Sequence, residues 1–179
     1  MSQPKINVNQ LDTGSGENAL LTPATFFTVG SGRTVTSVHG QITGLSGTSV
    51  IPFDSTAPLI TEGTQFGTAT FTKAYTDSHI HFDFSLTLDA NQNNTFIVVA
   101  VFRDNTCIAS GVVSIDTSGG PKTYALTGFD DPGGPGTYVY SGRVGVAVAG
   151  PTWYINSLSS GQTLGDTLVT SFILKECMD

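Results

Sequence analysis

Residues 79–88 read HIHFDFSLTL. Ile80, Phe82, Phe84, Leu86 and Leu88 alternate with His81, Asp83, Ser85 and Thr87. Successive side chains of a strand point to opposite faces, so this period of two puts five apolar side chains on one face of a sheet. DANQNN (89–94) breaks the run with turn-forming residues, and FIVVAVFR (96–103) follows as a nearly continuous apolar stretch, the pattern of a strand covered on both faces. Asp104-Asn105 separates it from TCIASGVVSI (106–115), which predicts an antiparallel hairpin through a short polar turn. KTYALTGF (122–129) is another strand, and DDPGGPG (130–136) stacks Pro and Gly into an exposed loop. In TYVYSGRVGVAV (137–148), Tyr138, Tyr140, Val144, Val146 and Val148 recur at even spacing, with Gly142 and Gly145 allowing a bend or a close neighbour. WYINS (153–157) and LVTSFILKE (168–176) complete the set. About eight or nine short strands without a helical period predict an all-β fold, an antiparallel two-sheet jelly-roll sandwich.

Composition agrees. Charged residues make up 12% of the 179-residue chain, against roughly 25% in an average soluble domain. Seven Lys and Arg cannot lace long exposed helices with i, i+4 pairs. The net charge of −7 weighs against phosphate backbones, whose binding needs clustered cations, so no nucleic-acid partner is expected. The opening MSQPKINVNQ has no basic stretch leading into an apolar run, and no segment approaches a membrane span. The expectation is a protein that folds in a cytoplasm and has no membrane partner. Cys107 and Cys177 form neither a CxxC motif nor a disulfide framework and read as buried thiols, although the sequence leaves pairing open.

Residues 1–49 read differently. The first 28 or so are polar and then pass into LLTPATFFTV (20–29), whose Leu20, Leu21, Phe26 and Phe27 follow neither period. Residues 29–49 interleave Gly and Ser with β-branched pieces, which suits short strands laid along a neighbour. Together they predict an extended N-terminal arm, residues 1–49, ahead of a jelly-roll domain at 50–179. The arm's apolar residues are candidate contacts with a partner.

Chemistry-bearing constellations are sparse. His79, His81 and Asp83 share one strand face and are the best metal candidates. A site needs three or four ligands and the remaining histidine, His39, is distant in sequence, so the expectation is no metal unless symmetry between copies completes the set. Asp89, Asn91 and Asn93 begin like a calcium loop, but the sixth position is not Gly and the twelfth is Ala100, so a turn is the better reading. Asp130-Asp131 read as solvated loop acids. No GxSxG, P-loop, HExxH or GxGxxG motif is present, and no cofactor or enzymatic activity is expected. Trp153, Tyr154, Phe129, Tyr138 and Tyr140 are residue types that dominate interfaces and stack on sugars. The tyrosines on the valine stripe belong to a core; Trp153 and Tyr154, after Gly150-Pro151, read as an exposed contact.

The order of motifs resembles the C1q/TNF-like jelly-roll domains of bacteriophage virion proteins and tail-fibre heads. It runs VIPFDSTAPLITEGTQF (50–66), the strand ending FSLTL, FIVVAVFRDNTCIASG (96–111), GTYVYSGRVGV (136–146), TWYINS (152–157) and SFILKEC (171–177), covering roughly residues 50–179. The resemblance implies a homotrimer with part of each jelly roll against the threefold axis. It implies a virion protein assembled in the host cytoplasm: a capsid decoration (cement) protein bound to the major capsid protein or another virion protein, the arm lying along the shell or a neighbouring subunit. The alternative is a receptor-binding head of a short tail fibre or tail tip that recognises a host surface glycan or protein through Trp153 or the DDPGGPG loop.

Overall fold

The computed structural model describes residues 10–12, 18–20, 34–42, 44–159 and 170–178. These residues form twelve strands. Among the described residues, β1 (Gln10–Asp12) and β2 (Asn18–Leu20) pair antiparallel with each other and with no other strand. The remaining strands are β3 (Thr34–Ile42), β4 (Leu45–Gly47), β5 (Thr64–Lys73), β6 (Ser78–Ala90), β7 (Thr95–Arg103), β8 (Thr106–Ile115), β9 (Lys122–Asp130), β10 (Gly136–Val146), β11 (Trp153–Ile155) and β12 (Thr170–Met178). They build two antiparallel sheets that face each other as a jelly-roll sandwich. One sheet runs β5-β10-β7-β8, and the other β3-β12-β6-β11-β4 with β9 also paired to β6.

The stretch at 79–88 does what its period dictates. β6 is the axis of the larger sheet: β12 lies along Ser78–Ser85, β11 along Leu88–Ala90, and β9 takes the other edge over Ile80–Leu88. Ile80, Phe82, Phe84, Leu86 and Leu88 are all buried. They meet Phe172 and Leu174 of β12, Ile97, Val99 and Val101 of β7, and Tyr140, Val144 and Val146 of β10. Phe84 stacks on Phe172 at 4.2 Å between ring centroids and meets Phe66 in a T-shaped pair at 5.9 Å. β7 is covered on both faces from Ile97 to Phe102, with Phe96 exposed: Ile97, Val99 and Val101 join this core, while Val98, Ala100 and Phe102 point outward into a second cluster with Ile51. The Asp104-Asn105 turn joins β7 to β8, with Asp104 in the left-handed region at φ 51°. Along β10, Tyr140, Val144 and Val146 are buried and Tyr138 half-buried, but Val148 is exposed because the strand ends at Val146.

Three expectations are corrected. Residues 29–49 do not supply strands to a neighbour alone: β3 pairs with β12 over Ile42–Thr34, and β4 pairs with β11, all within one chain. The edge of β12 away from β6 would otherwise be open, and an unpaired strand edge seeks a partner. The boundary set at 49/50 therefore falls inside the folded unit, where Ser49 accepts hydrogen bonds from Thr64 Oγ1 at 2.9 Å and Trp153 Nε1 at 3.3 Å. Trp153 is fully buried rather than exposed, since β11 sits between β6 and β4 with the indole over Gly47. A Cβ at Gly47 would stand 2.6 Å from the Trp153 ring, so this backbone approaches closely only as glycine. Third, Cys107 and Cys177 are free and half-buried rather than fully buried. Leu21, Phe26 and Phe27 lie outside the described residues, and Leu20 closes β2.

Candidate functional site

The IPFDSTAPLITEG segment (51–63) is a strap across the outer face of the smaller sheet. Its first anchor is Ile51, fully buried, whose N–H donates to Val146 O at 3.0 Å. Gly145 lies beneath: a Cβ there would stand 2.7 Å from Ile51 N, so the strap fits because that residue is glycine. The far end is held by Arg143, whose Nε and Nη2 donate to the carbonyls of Glu62 at 2.6 Å and Gly63 at 2.9 Å. Within the strap, Asp54 accepts from Thr56 N at 2.7 Å and Thr56 Oγ1 at 2.6 Å, and these donors hold its carboxyl below the ordinary carboxylate range. Glu62 accepts from Leu59 N at 2.8 Å. The strap is thus locally tied, not draped.

What it presents is apolar. Phe53 is 66% exposed and Leu59 60%. Phe53 lies 6.3 Å from Phe96 of β7, itself exposed, and Val112 of β8, the cross-strand partner of Val98, is exposed beside them. A depression of about 180 Å³ runs between the strap and β8, lined by Pro52, Phe53, Pro58, Val98 and Val112 among others. A second, of about 240 Å³, lies on the other side of Phe96 against Val148. Five of the eight exposed large hydrophobics among the described residues, Phe53, Leu59, Phe96, Val112 and Val148, are therefore carried by the strap or the strands and loop next to it. A surface of this kind gains free energy by being covered. β8 is also an edge strand that pairs only with β7 among the described residues, leaving main-chain donors and acceptors available to an added strand.

The outer face of the larger sheet carries all three histidines of the chain. His79 and His81 project from β6 and both rings pack on Phe129 of β9, at 4.7 and 5.1 Å, while Phe129 stays 68% exposed. His81 Nε2 is 3.0 Å from Thr127 Oγ1, and Lys175 is the cross-strand neighbour of His81. His39 Nε2 lies 3.1 Å from Ser37 Oγ, both exposed on β3. The expected face of His79, His81 and Asp83 is present, yet no group of three metal-ligating side chains gathers among the described residues. The oxygen-bearing side chains that resembled a calcium loop are loop ties. Asp89, fully buried, accepts from Gly119 N at 3.1 Å and Ser159 N at 2.8 Å; Asn91 accepts from Thr152 N at 2.8 Å, and Asn93 from Ser118 N at 2.7 Å.

At the end of the sandwich that holds the β5–β6 and β9–β10 connections, buried charges fix the loops. Glu176 accepts from Ala74 N and Ser78 Oγ at 3.0 and 2.6 Å, and from Tyr75 N. Buried Lys73 donates to the carbonyls of Thr76 and Gly133 and lies 3.7 Å from Asp131. Asp130, expected to be solvated, is instead buried between Arg103 and Tyr140 because it turns inward at the last residue of β9. Asp131 is exposed, as read, and its carboxyl is held low chiefly by Gly133 N. Tyr154 is half-buried on β11.

The strap surface was missed in the sequence because its residues are dispersed over 53, 59, 96, 112 and 148; the one local sign was Phe53 between Pro52 and Pro58 in a segment too short and broken for a strand.

No family model and no curated protein matches the chain. Solved structures similar to it include dimeric latent PorU from Porphyromonas gingivalis, at 9% identity and a TM-score of 0.44 over 85% of this chain and 14% of that one. T=1 particles derived from infectious bursal virus follow at 10% identity and 0.41, over 94% of this chain and 40% of that chain. The enzymatically active domain of tailspike protein 4 from bacteriophage CBA120 gives 16% and 0.24, over 68% and 19%. This chain thus spans two fifths or less of each. At TM-scores below 0.5, none of these likenesses identifies a function.

Proposed function

We propose that the chain is a non-enzymatic virion structural protein, a homotrimeric capsid decoration protein that stabilises the shell through protein–protein contacts. The order of motifs over 50–179 supports the virion context. The observation that carries an assembly role is the strap surface: Phe53 and Leu59 exposed, with Phe96, Val112 and Val148 beside them, on a scaffold whose strap is pinned by Ile51 and Arg143. Asp89, Asp130 and Glu176 are buried and accept from structural donors, so these three carboxylates serve the fold. The test is solution mass by light scattering followed by co-sedimentation with expanded, undecorated capsids. A trimer that pellets with capsids supports the reading; a monomer, or a trimer that stays in the supernatant, overturns it.

A receptor-binding head is the second reading, and Phe129 favours it. An exposed ring flanked by two imidazoles and Thr127 offers a face for stacking on a sugar and polar groups around it. In that case Phe129→Ala abolishes adsorption to host cells and leaves particle stability unchanged, the reverse of what decoration predicts.

A further inference from the structure

We infer that the Phe129 face of the larger sheet binds hexuronic acid residues of a glycan, the sugar ring stacked on Phe129 and its carboxylate held by Lys175; the inference deepens the receptor-binding reading above and rests on it, not on capsid decoration. The site is one cross-strand row. Ser37 of β3, Lys175 of β12, His81 of β6 and Phe129 of β9 are successive register partners on four adjacent strands, and side chains at paired positions share a face. Adjacent strands lie about 4.8 Å apart, so the backbones of Phe129 and Lys175 are about 10 Å apart with His81 between them.

The two ends of this row supply different chemistry. Phe129 is exposed, and its ring is braced by His79 in a T-shaped contact and by His81 at 47°. A ring held in one orientation in the open offers an apolar platform to the C–H face of a pyranose. Thr127 Oγ1, 3.0 Å from His81 Nε2, places a hydroxyl beside that platform for the sugar's own hydroxyls. Lys175 supplies the charge. Among the described residues every other Lys and Arg is committed: Lys73 donates to the carbonyls of Thr76 and Gly133, Arg103 pairs with Asp130, Lys122 with Asp116, and Arg143 donates to the carbonyls of Glu62 and Gly63. Lys175 is half-buried, faces His81 and Ser37 across the sheet, and makes no ion pair among those residues. Its flexible stem carries a point charge with three donors, which suits a carboxylate. That stem covers most of the gap to Phe129, so the acid must be borne directly on the stacked ring, as in a hexuronic acid. Asp83 lies in the next row, between Ile173 and Thr127 and diagonal to Lys175. It repels a carboxylate on its own side and leaves the line from Phe129 to Lys175 as the favoured one.

The test titrates the full chain with trimers of galacturonic acid and of glucuronic acid, and with their methyl esters, which keep the ring and remove the charge, following chemical shifts by NMR. An acid trimer is expected to shift Phe129, Thr127 and His81, and its ester to bind about fivefold more weakly, the size of a solvated ion pair. Lys175→Gln weakens the acid about fivefold and leaves the ester unchanged, because the two changes remove the same contact. Lys122→Gln, the same charge change at an ion-paired site, alters neither, Asp83→Asn strengthens the acid alone, and Phe129→Ala abolishes both. Trp153 emission confirms that each variant is folded. Equal binding of acid and ester, no effect of Lys175→Gln, or no binding by either acid trimer overturns the inference. Adsorption to host cells separates the failures: adsorption lost in Phe129→Ala without a preference for the acid leaves the receptor reading standing and removes the hexuronic ligand, whereas unchanged adsorption removes both.

Discussion

The phenol of Tyr140 donates a 2.6 Å hydrogen bond to Oδ2 of Asp130, and the other oxygen of that carboxylate takes the Arg103 guanidinium at 2.7 Å. The pair links β10 to the end of β9, and Arg103 brings in the end of β7, so three strands converge on one carboxylate beside the DDPGGPG loop. Burial, then the bond to Asp130, pushes the Tyr140 phenol far above the ordinary tyrosine range. Tyr140→Phe removes a charge-assisted bond and is expected to cost about 1.5–3 kcal/mol at neutral pH, read by urea denaturation. The raised folded-state value also fixes the sign with pH. Protonated Tyr140 contributes its full stability below the unfolded value of about 10, and that contribution is lost as pH rises above it. Wild type is expected to lose stability above that point more steeply than Tyr140→Phe; equal slopes would contradict the assignment.

Glu176 should be indispensable to the end of the sandwich it closes. Glu176→Ala leaves the amides of Ala74 and Tyr75 without their acceptor, and leaves the Ser78 hydroxyl only the Tyr75 carbonyl at 2.9 Å. Leaving buried donors without a partner costs roughly 1–3 kcal/mol each. Thermal denaturation checks the magnitude, and faster hydrogen exchange at Ala74 and Tyr75 checks the location.

Trp153 is the chain's one tryptophan, and its burial against Gly47 makes it a reporter. Native emission is expected to be blue-shifted and insensitive to capsid binding. Gly47→Ala forces a contact the fold lacks room for and is expected to cost about 1–3 kcal/mol, while Trp153→Ala costs about 3–5 kcal/mol. Solvent-exposed emission in the folded protein would contradict the placement of β11.

Phe96→Asp separates assembly from folding. Phe96 is 47% exposed, so the change is expected to keep stability within about 1 kcal/mol while abolishing co-sedimentation with capsids. Unchanged co-sedimentation would remove the strap surface from the interface.

Local periodicity made β6, β7 and β8 legible, because a period of two and a polar turn are properties of neighbouring residues. The pairing of β3 with β12 and of β4 with β11 was not, since it joins segments more than a hundred residues apart whose Gly- and Ser-rich strands carry little pattern of their own. Trp153 misled for a related reason: a Gly-Pro before an aromatic reads as a loop, and nothing local reveals that Gly47 opens a slot for the indole. The calcium-like spacing of Asp89, Asn91 and Asn93 is the spacing of side chains that accept loop amides, which draws on the same oxygen chemistry as an ion. Of the strap surface, only the segment at 50–66 was visible, as one motif in the ordered set; its exposed face is assembled with β7, β8 and the loop after β10.

The most direct test of the central claim compares wild type with Phe53→Asp/Phe96→Asp by light scattering and co-sedimentation with undecorated capsids. Wild type is predicted to be trimeric and to pellet with capsids, and the double variant to stay folded, by its Trp153 emission, yet remain in the supernatant. A folded double variant that pellets as wild type does would contradict the claim that this protein works through the strap surface.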